Sequence, residues 1–115
     1  MAANPHKGEV DLVIGETTYT LAFPTNSIVL VEQLCGGVSI GTISSNFNRI
    51  EYIRAALWGA LQKHHPKIDL MKAADILDDA EDGLNGVVEA VVRALRFRLS
   101  RTPVDAPLVA AKDDE

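Results

Sequence analysis

The chain predicts an α+β fold, mostly helical, in which an N-terminal two-stranded antiparallel β-hairpin packs on about four α-helices. Three observations carry this reading. Residues 8–23, GEVDLVIGETTYTLAF, alternate apolar and polar side chains around a Gly15-Glu16 break, the period of a strand pair. From residue 26 onward the apolar spacing changes to the three-and-four rhythm of helices. The 115 residues are 47% hydrophobic and 23% charged, enough to bury one core and solvate its outside. A single domain over 1–102 follows, with 103–115 as an appendage.

The hairpin comes first. A two-residue turn at Gly15-Glu16 sets Ile14 opposite Thr17, Leu12 opposite Tyr19 and Val10 opposite Leu21, all on one face. Glu9, Asp11 and Val13 share the other face with Ala22, Thr20 and Thr18. Glycine at the first turn position suits a type II′ connection. Two strands alone are marginally stable and leave two open edges. The apolar face is therefore expected to lie on the helices, and one edge to be covered by a neighbouring copy.

Pro24 stops the second strand, and Thr25 or Asn26 is placed to cap a helix over about 26–35 that Gly36-Gly37 ends. VSIGTIS, residues 38–44, reads as a loop or short extended piece. Ser44 or Ser45 then caps a helix over about 46–64, where Phe47, Ile50, Ile53, Leu57, Trp58 and Leu61 form one stripe. Pro66 ends it, with His64 and His65 in its last turn. Asp69 caps a helix over 70–81. The last helix, 83–100, carries Leu84, Val87, Val88, Val91, Leu95 and Leu99 as a continuous apolar face. Past Thr102-Pro103, residues 103–115 set one lysine against Asp105, Asp113, Asp114 and Glu115, a net −3, and read as a flexible acidic tail.

Composition excludes several function classes. A net charge of −5 opposes a general nucleic-acid binder, which needs surplus Lys and Arg to neutralise phosphates. Cys35 is the only cysteine, so no intrachain disulfide forms and a reducing compartment is expected. No apolar run reaches the roughly 18 residues of a membrane span. MAANPHKGEV lacks the apolar core of a signal peptide, so export is not expected.

Motifs for chemistry are weak. DDAEDGLNGVVE places Asp78, Asp82, Gly83 and Glu89 at positions one, five, six and twelve of a calcium loop. Ala80 stands where a ligand belongs, and the apolar helical face already begins at Leu84. A helix junction with carboxylates near a helix N-terminus explains the run without a metal. His6, His64, His65 and Cys35 suggest a metal site or a Cys-His pair. Adjacent helical residues diverge by 100°, however, and no histidine lies four residues from another. No phosphate loop, carboxylate pair or nucleophile elbow is present, so no catalytic residue, cofactor or metal is expected.

The last helix also carries Arg93, Arg96, Arg98 and, just past it, Arg101, with Phe97 away from the apolar stripe. A solvated charged face accounts for them. A partner-binding patch is the other reading, since Arg and aromatic side chains are enriched at interfaces. It marks Trp58, Arg93, Arg96, Phe97 and Arg101 as candidate partner-binding residues.

One resemblance extends over roughly Asn4 to Leu70. Asn4-Pro5, Gly8-Glu9-Val10, Gly15 with Tyr19 and Leu21, Gly36-Gly37 and Leu57-Trp58 occur in an order that resembles the small tail assembly chaperones of tailed phages, in the form carried by gene transfer agents and related prophages. The resemblance implies a non-catalytic protein that coats the tape measure protein and helps bring tail-tube subunits to it. It implies work in the bacterial host cytoplasm during tail assembly and absence from the mature particle, while self-association is expected from the open hairpin edge itself. A structural tail-tube or minor tail component is the alternative. None of the matched motifs is catalytic, so the resemblance supplies no active-site residue.

Overall fold

The structure is a computed structural model that describes residues 8–81 and 83–100. The hairpin consists of β1 (Val10–Ile14) and β2 (Thr17–Leu21) in antiparallel register, with Val10 opposite Leu21, Leu12 opposite Tyr19 and Ile14 opposite Thr17. Gly15 takes φ +62° while Glu16 keeps a negative φ, the sign pattern of a type II′ turn. Leu12 and Leu21 are buried, with Val10, Ile14 and Tyr19 packed beside them. The opposite face carries exposed Asp11, Val13 and Thr18.

Five helices follow among the described residues, one more than the spacing predicts. They are α1 (Thr25–Leu34), α2 (Ile40–Ser44), α3 (Ile50–Leu61), α4 (Leu70–Asp79) and α5 (Gly83–Ser100). Together with the hairpin they enclose one apolar core. The central element is α3, which touches α1, α4, α5 and β2. Its small residues Ala55, Ala56, Gly59 and Ala60 are all buried and let neighbours approach closely. A Cβ on Gly59 would lie 2.2 Å from Val31 Cγ2 of α1, so glycine is required by the crossing of the two helices.

Helix ends follow local chemistry. Gly37 N–H donates to Glu32 O at 2.8 Å and Gly36 N–H to Gln33 O at 3.1 Å, with both glycines at positive φ. This is the Schellman arrangement that satisfies the last carbonyls of α1. Asp69 Oδ1 accepts from Lys72 N–H at 2.8 Å and caps α4 as its position predicts.

Several expectations need correction. Residues 40–44 of VSIGTIS form α2 rather than a loop, because Ser39 Oγ accepts from Thr42 N–H and Glu32 Oε2 accepts from Ile40 N–H at 2.8 Å. α3 begins at Ile50 rather than 46, since the chain turns after α2. Neither Ser44 nor Ser45 caps it: Arg49 holds the N-cap position, and Ser44 Oγ donates to Gly41 O. Phe47 therefore precedes α3, and Ile50 is 55% exposed rather than part of the buried stripe. α1 starts at Thr25 behind Pro24, with no side-chain cap from Thr25 or Asn26. α3 stops at Leu61, so His64 and His65 lie in the turn beyond it.

That turn determines what happens at the hairpin's margin. Along β2, Ala22 N–H donates to Ala60 O at 2.9 Å and Thr20 N–H donates to His65 Nε2 at 3.0 Å. The end of α3 and the histidine beyond it thus take up two amides of this edge, those of Thr20 and Ala22, from within the chain. The tail expected over 103–115 lies outside the described residues.

Candidate interaction surface

α5 presents more apolar surface than the core can take. Val87, Ala90, Val91, Ala94 and Leu95 are buried on one side of the helix. Val88 and Val92 are half-buried, and Leu99 is 45% exposed. At 100° per residue these three fall on the flank of the core-facing side, next to Asn85 and Arg96. The result is a strip that runs most of the length of α5.

Two shallow hollows lie along this strip. One, of about 420 Å³, is lined by Val92, Leu95, Arg96 and Leu99 with Ser44 of α2. The other, of about 650 Å³, is lined by Asn85, Gly86, Val88, Glu89, Val92, Arg93 and Arg96. Val92 and Arg96 belong to both. The strip is therefore continuous, with Arg93 and Arg96 along one border. Both arginines are exposed, and among the described residues neither forms an ion pair. A guanidinium beside apolar surface suits a partner that combines apolar contact with carboxylates.

The structure groups only some of the expected partner-binding residues. Arg93 and Arg96 border the strip. Phe97 lies elsewhere on α5, where its ring covers Gly8 so closely that a Cβ there would sit 2.2 Å from Cδ1. Trp58 is half-buried against the core. Arg101 lies outside the described residues. Val92 and Ser44, which the spacing did not single out, complete the strip. The available signal was an apolar arc on α5 too wide for a single packed face. A second apolar area occurs on α1, where Val29, Leu30 and Leu34 are exposed.

The other motifs take ordinary structural places. Asp78 and Asp79 belong to α4, and Gly83 and Glu89 to α5, so these positions lie on two helices; Asp82 is outside the described residues. His64 Nε2 lies 2.8 Å from Glu9 Oε2, with Lys63 Nζ 3.9 Å from the same oxygen. His65 accepts from Thr20 and meets the Tyr19 ring edge-on at 5.4 Å. Burial pushes the Cys35 thiol above its ordinary pKa, and Glu51 adds to the shift, which keeps the sulfur protonated. His6 lies outside the described residues. Among the described residues no group of three or more His, Cys, Asp or Glu side chains could hold a metal ion, and no helix is long and apolar enough to cross a membrane.

Compared with known proteins, the chain matches no family model, and no curated protein or solved structure matches it significantly.

Proposed function

We propose that this chain is a non-catalytic assembly chaperone of the phage or prophage tail. In this reading it holds the tape measure protein along α5 and helps recruit tail-tube subunits in the host cytoplasm. It then stays out of the finished particle. The observation that carries the reading is the apolar strip of Val88, Val92 and Leu99 bordered by Arg93 and Arg96. An α5 of 18 residues is roughly 27 Å long, which suits side-by-side contact with a long helical client. The sequence resemblance implies the client, and the strip supports the reading as apolar surface open to a partner. Self-association through the hairpin edge belongs to the same reading.

The test is co-expression with a tape measure protein, the client that the resemblance implies. The long protein is expected to stay soluble and co-purify with this chain, and an Arg93→Glu/Arg96→Glu variant is expected to recover several-fold less of it. Stoichiometric copies of this chain in purified particles would overturn the reading in favour of a tail-tube or minor tail component.

A further inference from the structure

We propose that a second copy of this chain occupies the strip, α5 against α5 in antiparallel orientation across a two-fold axis. This goes beyond the reading above, which gives the strip to a client and self-association to the hairpin edge. Two observations argue for this occupant: the spacing of the strip and the order of its charges.

Asn85, Val88, Val92, Leu95 and Leu99 follow one another at intervals of three and four residues, the period of a coiled-coil seam. All five line the two hollows along α5. The seam is half open: Leu95 is buried at its base, Val88 and Val92 are half-buried, and Asn85 and Leu99 are exposed. An isolated helix of two heptads is marginal in water. Here α5 is already folded against the core, so pairing costs none of that ordering.

The charges select the orientation and the partner. Glu89 and Arg96 each follow a seam residue by one position, so they flank the seam on the same side, one heptad apart. Both are exposed, and among the described residues neither forms an ion pair. In a parallel pair these positions face the other flank of the second helix, where Leu84 and Val91 stand, and meet no opposite charge. The antiparallel pair brings like flanks together. With Val92 opposite the second copy's Leu95, Val88 comes opposite its Leu99, and the two-fold axis repeats both contacts. Glu89 then lies within two residues, about 3 Å along the axis, of the level of the second copy's Arg96. By the same symmetry Arg96 meets the second copy's Glu89. Arg93 stands about 100° round from Val92, at the outer border, and takes no part. Opposed helix dipoles add to the preference. The strip is therefore complementary to itself, as a two-fold contact between identical chains requires.

The oligomeric state of the full chain tests this. Sedimentation of the chain alone is expected to show a dimer fraction that grows with concentration. Glu89→Arg and Arg96→Glu, each made alone, turn both symmetry-related ion pairs into like-charge contacts and are expected to weaken the dimer about tenfold. Mixing the two variants in equal amounts restores the complementary order, and the expected product is a heterodimer about as tight as the wild-type pair. A wild-type chain that stays monomeric up to about 1 mM would overturn the proposal. So would a dimer that neither reversal weakens, which would place self-association on another face such as the hairpin edge, and so would weakened variants that do not recover on mixing. Co-purification of the tape measure protein separates the two readings. A charge-sensitive dimer with no client captured removes the chaperone reading and keeps the pairing, whereas capture by a chain that is monomeric alone does the reverse.

Discussion

Gly59 shows how one atom sets the spacing of two helices. It sits in the last turn of α3, where glycine costs at most about 1 kcal/mol relative to alanine. The space for a methyl group is already taken by Val31, which is fully buried and stiff at χ1. Ser27 O stands 3.2 Å from the same point, so α1 cannot simply slide past. Gly59→Ala should therefore overpack the crossing by about 1–3 kcal/mol, and the gain in helix propensity offsets only part of that. The expected net loss is about 1–2 kcal/mol in urea unfolding. Val31→Ala in the same protein should return part of it, giving a favourable coupling in the double-mutant cycle. A destabilisation by Gly59→Ala that Val31→Ala leaves unchanged would place the strain elsewhere.

At the scale of elements, what was legible was what the chain states locally. The hairpin register follows from alternation alone, and Asp69 caps α4 through a bond to a residue three positions away. α5 keeps its expected bounds because its apolar rhythm is long. α2 was not legible, since its first amide is satisfied by Glu32 from the helix before it. The cover over part of the β2 edge was hidden for the same reason: Thr20 finds His65 forty-five residues away. That bond makes the edge sensitive to pH. His65 Nε2 can accept only while unprotonated, and burial, with His64 beside it, lowers its pKa. Unfolding returns it to about 6.5, so below that value the unfolded chain binds more protons and stability falls. The loss runs from about pH 6.5 down through the lowered folded value and then levels off. His65→Gln offers Thr20 an acceptor that does not titrate, so its stability should fall less over this window. Glu9, Lys63 and His64 are common to both proteins, and the difference between the two unfolding curves isolates His65. Parallel pH profiles would show that the Thr20 bond is not linked to proton binding.

Across the whole molecule, α5 does two jobs with adjacent sides of one helix. Its inner side, with Val87, Ala90, Val91 and Ala94, closes the core against α3, α4 and the hairpin. Its flank, with Val88, Val92 and Leu99, borders two shallow hollows, although Val88 also packs against the core. The sequence stripe merged these sides because both are apolar, and only the placement of neighbouring elements separates them. Substitutions one position apart should therefore have different consequences. Val91→Ala empties a fully packed site and should cost about 2 kcal/mol of stability, with capture of the tape measure protein otherwise retained. Val92→Ser removes a half-exposed side chain and should change stability by less than about 1 kcal/mol. It should nevertheless reduce capture several-fold, as Arg96→Glu should at the strip's border. Thermal unfolding and co-purification, measured on the same preparations, check both halves. If capture follows stability across these variants, α5 serves only to hold the fold together, and the client's site must lie on another surface such as the exposed side of α1.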